Sequence, residues 1–338
     1  MSGDLWMLTP LRSQLGSTMV SRAKCQCFSS RAVFLKFLLL CVIAAPELVS
    51  NYARASTGLV IYQTGFEANE GYNTNLDLVG QNGWVGAGSG GNGLVTDFFP
   101  KRGQQAYVGF APPNAGDSNL FVYLPLNRNV SQAHFAVTMA IADSSNTNYD
   151  DFYWTVYNRH GDPFFILDFD NADFRLYYAL DGTNAWVWSG LKFSNAVPYN
   201  LTMDLDFAAN RWSATFNGAT VASNKPITTI NSPLNLGDID AAWVIKKPNT
   251  PGDNFMVFDD YSVSGAVAPP QLRMLAASPG LAALRLYAET DNRFAIEAST
   301  NLANWVALKT NTATGGSFDY VDNTTGMRGR YYRARWVP

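Results

Sequence analysis

From residue 59 onward, apolar and polar residues alternate along short segments that Gly, Asn, Asp and Pro interrupt. A period of two belongs to strands with one covered face, and the i, i+3, i+4 spacing of an amphipathic helix is almost absent. The pattern predicts strands over 59–67, 134–142, 151–158, 163–169, 174–180, 199–207, 211–218 and 255–263. Asp181-Gly182 and Asn217-Gly218 read as hairpin turns. The stretch GAGSGGNG (86–93) reads as a flexible loop; with no lysine or helix after it, it does not suit a phosphate.

At 265–270, GAVAPP marks a change of texture. Beyond it, six further strands are predicted: LRMLAAS, ALRLYAE, FAIEAST, WVALKTN, SFDYVD and YYRARWV. The fold expected is therefore all-β: a jelly-roll β-sandwich over 57–265, a linker over 266–270, and a small immunoglobulin- or fibronectin-like β-sandwich over 271–338.

Composition narrows the function. The chain has 338 residues, 47% hydrophobic and 14% aromatic, enough for a sizeable core. Lys and Arg against Asp and Glu number six against two over 1–55, ten against twenty over 56–268, and eight against five over 269–338. So acidic a body has little with which to neutralise phosphates, which argues against a nucleic-acid partner.

Residues 1–55 read as a signal peptide: Arg12, Arg22, Lys24 and Arg31 precede the apolar run 33–45, and Ala53-Arg54-Ala55 offers a small-x-small cleavage site. Lys36 interrupts the run, which is short for an ordinary membrane span. An uncleaved anchor is the alternative. Cys25, Cys27 and Cys41 all lie in this segment, so the mature chain would lack disulfides, thiol catalysis and zinc–thiolate sites. The expected location is secreted or at the cell surface, with no stable membrane span after cleavage.

The motifs TGFEANEGY (64–72), LVGQNGW (78–84), LDFAANRWSATFNG (205–218) and GDNFMVFDDYSV (252–263) resemble the concanavalin A-like, LamG-type jelly rolls of secreted bacterial proteins. The tail, with RFAIEASTNLANWVAL (293–308), is similar to a C-terminal module of exported proteins from Verrucomicrobia-like bacteria; adhesive, spacer and sorting roles would each suit its position. In many jelly-roll carbohydrate-binding modules, a Phe-Glu pair on the first strand and an acid-acid step on the last hold a structural calcium. The matching positions here are Phe66-Glu67 and Asp259-Asp260.

Independently, Val257, Tyr261 and Val263 alternate as a buried face should, with Asp259 among them. A lone buried carboxylate is costly to keep ionised, two together repel, and calcium removes both penalties. Glu67 and Asp259 are accordingly the candidate calcium ligands. A backbone amide or a Lys/Arg partner for Asp259 is the other reading.

A second candidate site follows from alternation in three neighbouring strands. Phe152, Trp154, Val156, Phe165, Leu167, Phe169, Phe174, Leu176, Tyr178 and Leu180 fall on the inward side. The opposite face then carries Tyr153, Thr155, Tyr157, Asp168, Asp170, Arg175 and Tyr177. Aromatic rings stack on sugars while carboxylates and a guanidinium bond hydroxyls, so Tyr153, Tyr157, Asp168, Asp170, Arg175 and Tyr177 are candidate contacts for a polysaccharide or surface glycan. An ordinary polar outer face is the alternative. Trp186 and Trp188 read as core plugs, with a sugar platform as the other reading.

The Glu-x-Asp-x-x-Glu pattern that would supply an acid and a nucleophile is absent. Tyr177 with Arg175 supplies at most the parts of a lyase. The function expected is non-catalytic glycan binding or surface association, with polysaccharide lyase or glycoside hydrolase, and a structural or adhesive role, as alternatives.

Overall fold

A computed structural model describes residues 59–337, except 115, 116, 118, 127, 184, 279 and 328. The expected signal peptide lies outside the described residues. In chain order the larger part contains β1 Leu59–Thr64, β2 Val85–Gly88, β3 Asn92–Thr96, β4 Gln104–Gly109, β5 Asn119–Tyr123, β6 Gln132–Ala142, β7 Asp151–Tyr157 and β8 Pro163–Asp170. It continues with β9 Arg175–Leu180, β10 Val187–Lys192, β11 Tyr199–Asp206, β12 Arg211–Phe216, β13 Ala219–Lys225, β14 Asp238–Val244 and β15 Phe255–Ala266. One sheet has the order β13-β12-β11-β6-β15-β4-β3, with β1 also pairing β15; the other runs β10-β9-β8-β7-β14-β5-β2. Their inner faces close on one core, in which Trp84, Trp154, Trp212, Trp243 and Tyr261 are fully buried. This is the jelly-roll β-sandwich that the alternation predicts.

The chain then forms β16 Gln271–Ser278, β17 Leu281–Tyr287, β18 Arg293–Ser299, β19 Val306–Thr312, β20 Ser317–Asn323 and β21 Tyr331–Trp336. They make two three-stranded antiparallel sheets, β16-β17-β20 and β19-β18-β21, around Leu284, Leu286, Phe294 and Ile296.

Local chemistry sets several boundaries differently from the sequence pattern. The glycine-rich stretch 86–93 is not a free loop: its ends belong to β2 and β3, because backbone pairing requires no side chain. Asn217-Gly218 takes positive φ at both residues (47° and 78°) and turns β12 into β13. Asp181-Gly182 instead opens a longer connection from Leu180 to Val187. Asp181 is held there by the Thr229 amide at 2.6 Å and the Thr228 hydroxyl. Finally, β1 stops at Thr64 because Phe66 turns left-handed (φ 59°), driving its ring against Phe258 at 5.4 Å. Glu67 thus lies after the strand, at the start of the short 3-10 turn Ala68–Glu70.

The apolar face of β15 is also not the one alternation assigns. Pairing with β6 slips between Asp259 and Ser262, and Asp260 takes φ 51°. This bulge changes the phase of the strand. Before it, Met256 and Phe258 point into the core; after it, Tyr261 and Val263 do. Val257 and Asp259 therefore face outward from the sandwich, Val257 under Phe99 and beside Ala140. Asp259 is buried by the cover that the β3–β4 loop supplies, not by the core.

Candidate functional site

The register of the second sheet builds its outer face. Tyr153 on β7 stands opposite Asp168 on β8, Asp168 opposite Tyr177 on β9, and Tyr177 opposite Trp188 on β10. On the other side of Tyr153 come Ala242 of β14 and then Phe121 of β5. One row across the sheet thus alternates rings with short residues from Phe121 to Tyr177 and ends on a second ring, Trp188. The row before it sets Asp240 opposite Thr155, and the row after it sets Asp170 opposite Arg175.

The alternate positions of the same strands explain why these residues face outward. Phe152, Trp154, Val156, Phe165, Leu167, Phe169 and Leu176 are fully buried between the sheets, and a period of two leaves their neighbours on the other side. Phe174 is a correction: at φ 54° it sits in the turn before β9, is 36% exposed, and meets Phe193 edge-on. Trp188 and Trp186 also depart from the core reading. Trp188 is 50% exposed, and Trp186 is half-buried with its ring 5.6 Å from that of Tyr153. Neither has a second sheet above it, which periodicity alone does not reveal.

Arg175 reaches across this aromatic edge. Its Cζ lies 5.3 Å from the Trp188 ring centre, its Nη1 donates to the Tyr177 hydroxyl at 3.4 Å, and Asp173 is 3.5 Å away. Asp168 is buried at the floor between the Tyr153 and Tyr177 positions. Asp170 is committed to structure: Lys246 Nζ bridges it at 3.0 Å and Asp151 at 2.7 Å, and the Ala172 amide donates to it at 3.0 Å. Burial pushes the Asp151 carboxyl up, with Lys246 opposing. Burial acts on Asp170 too, but its bonds to Lys246 hold that carboxyl down.

Tyr157 lies in the same face beside β14, directly opposite Asp238. Burial, then Asp240 and Asp238, push its phenol strongly up. Asp238 and Asp240 are functional candidates that the sequence reading passed over. Their signal is present in DIDAAWV (238–244), where Ile239, Ala241 and Trp243 alternate inward and leave two acids on one outer stripe.

Glu67 and Asp259 come together around Gly65 on the outside of the other sheet. A Cβ on Gly65 would lie 3.8 Å from Glu67 Cγ and 3.9 Å from Asp259 Oδ1. Glu67 accepts the Gln104 amide at 3.3 Å, and Gly103 (φ 72°) passes so close that a Cβ there would lie 2.1 Å from Glu67 Oε1. Burial raises the Asp259 carboxyl to about 6, the Asp260 amide opposing at 2.8 Å. Asp260 is instead exposed and paired with Arg102 at 2.8 Å. Among the described residues no group of three or more His, Cys, Asp or Glu side chains gathers as a metal site. Two carboxylates beside a cradle that only glycine fits are oxygen donors of the kind calcium takes, whereas the Arg102 and Gly103 carbonyls already accept from Gln105 Nε2 at 3.1 Å each.

No helix among the described residues is long and apolar enough to cross a membrane. The fold and these two clusters define an all-β sandwich protein with an aromatic and acidic sheet face. No protein-family model matches the chain, and no curated protein does. Solved structures are similar in fold. A cellulose-induced protein is 12% identical over 61% of this chain and 97% of its own, with a TM-score of 0.44. A GH131 beta-glucanase catalytic domain from Podospora anserina is 12% identical over 62% and 97%, at 0.42. A sialidase is 7% identical over 61% of this chain, at 0.43, and the chain spans only 19% of that protein's length. At this level of similarity neither ligand nor activity carries over.

Proposed function

We propose that this is an exported glycan-binding protein whose ligand lies on the outer face of the second sheet, across Tyr153, Tyr177, Trp186 and Trp188. The observation that carries the reading is the half-exposed Trp188, flanked by Arg175 and in line with Tyr177 and Tyr153. Indole and phenol rings offer flat apolar surfaces to the C–H faces of sugars, and Arg175 offers donors to ring and hydroxyl oxygens. Asp170 serves by fixing the frame with Lys246. Export rests on the sequence of residues 1–55.

A structural calcium held by Glu67 and Asp259 belongs to the same proposal. It would neutralise two carboxylates crowded at the end of β1 and the bulge of β15, and so tie the first strand to the last. Its role is stability of the sandwich and not chemistry.

The test is a glycan array with the mature protein, then reducing-end and unsaturated-product assays on each hit. Binding without turnover, lost in Tyr153→Ala, Arg175→Ala and Tyr177→Ala but kept in Asp204→Ala, is the expected result. Asp204 is the suitable control because it pairs with His134 on the outside of the opposite sheet. Release of product would instead assign a hydrolase or lyase, and absence of binding to any glycan would overturn the reading.

A further inference from the structure

Beside the aromatic row lies a pocket of polarity that no structural role uses up. Asp240 is only 4% exposed, yet its Oδ1 receives no hydrogen bond among the described residues. Its near neighbour is the carboxyl of Asp238, two residues along the same strand and on the same face. Two carboxylates can bond each other only through a proton. Burial raises both, and mutual repulsion adds to the rise of Asp240.

The surroundings are phenols and a threonine. Tyr157 faces Asp238, and Thr155 faces Asp240, from β7. On the other side, extending the Ala241–Val122 register by one residue sets Asp240 beside Tyr123 of β5. Both acids push the Tyr123 phenol up, behind burial itself. No lysine or arginine pairs with either acid among the described ion pairs. A buried carboxylate oxygen without a donor is the arrangement that folded proteins avoid unless a ligand or water supplies one.

Resting on the glycan-binding reading above, we propose that Asp238 and Asp240, with Tyr123 and Tyr157, form a second subsite of the same face that takes sugar hydroxyls, and that the ligand is therefore an uncharged polysaccharide. Hydroxyl groups are donors that Asp240 Oδ1 can accept. The carboxylates of uronic acids and the sulfates of sulfated glycans are acceptors only, and they would meet like charge. The rest of the face agrees. Of its cations, Lys246 is taken by Asp151 and Asp170, while Arg175 has Asp173 at 3.5 Å to offset its charge and keeps donors for hydroxyl oxygens, and Lys192 stands at the β10 edge opposite Arg175. The subsite lies about 7 Å along the strands from the Tyr153–Trp188 row, the two-residue spacing of a strand and a distance one sugar unit spans.

The test measures binding of soluble β-glucan, xylan and mannan, and of alginate and polygalacturonate, to the wild type and to Asp240→Asn, Tyr123→Phe and Asp204→Asn. Binding of at least one neutral polymer in preference to both uronates is expected, weakened about tenfold or more by Asp240→Asn, which turns an acceptor pair into one with its own donor. Tyr123→Phe should weaken it less, and Asp204→Asn not at all. Thermal melts show that each variant is folded, and Asp240→Asn should melt no lower than wild type, since it removes a buried charge. Preference for alginate or polygalacturonate overturns the ligand class. Undiminished binding by Asp240→Asn, in a protein whose binding Tyr153→Ala abolishes, overturns the subsite and leaves the platform standing. Absence of binding to every polymer overturns both.

Discussion

Lys246 bridges two carboxylates at the end of the proposed binding face, and replacing it with methionine should expose how much they repel. The methionine keeps most of the apolar stem and removes only the charge. Asp151 and Asp170 have side chains just 5% and 6% exposed, so neither can escape to water. At the roughly 5 Å spacing of neighbouring strands, two unit charges in an effective dielectric of about 20 repel by about 3 kcal/mol. Breaking a buried pair by removing one partner costs about 3–5 kcal/mol in general. Lys246 itself is 29% exposed, which favours the lower figure, about 3 kcal/mol at pH 8.

The pH dependence gives the sharper check. Without Lys246 both folded carboxyls are raised above their unfolded values. The stability linked to their protonated form is then full at low pH and lost as pH climbs through the raised values. The deficit against wild type should therefore be largest at pH 8 and shrink to about 1 kcal/mol at pH 5. Urea unfolding at both values measures it, and a fall in melting temperature of about 6–12 °C at pH 8 should accompany it. Adding Asp151→Asn to Lys246→Met should recover most of the loss. A deficit under 1 kcal/mol at pH 8, or an equal deficit at pH 5, would refute the picture of two carboxylates held by one ammonium.

Three further outcomes are expected. Chelator should lower the melting temperature of the wild type and calcium restore it, while Asp259→Ala should show neither response; a wild type indifferent to both would remove the metal from the reading. Trp188→Ala should weaken glycan binding at least about tenfold in a titration while leaving the melt within a few degrees, because the side chain is half exposed. Phe258→Ala, in contrast, should cost about 3–5 kcal/mol in urea unfolding, since its ring meets Phe66, Trp84 and Trp154 in the core.

Much of this architecture is legible in the alternation itself. Period two marks β6 through β9, β11 and β12, and it names Trp154, Phe165, Leu167 and Phe169 as interior, because a strand can bury only every second side chain. It also separates the face carrying Tyr153, Asp168 and Tyr177 from the core face, before any contact is known. Alternation cannot show what covers a face. Trp188 has the pattern of a core residue and is half exposed, and Trp186 is only half-buried, while Asp168 has the pattern of a solvated residue and is buried. Nor can it register an inserted residue. The bulge at Asp260 shifts the phase of β15, so Asp259 lies under the β3–β4 loop and not on the side of Tyr261, although the linear text shows one unbroken stripe. Asp238 and Asp240 were visible as two acids on one stripe. Their significance came only from pairing β14 between β5 and β7, which brings Tyr123, Thr155 and Tyr157 against them from strands far apart in sequence. Sequence sets which side chains share a face because that is a property of the backbone repeat; which faces meet, and what is left without a partner there, is a property of how the strands are ordered in the sheets.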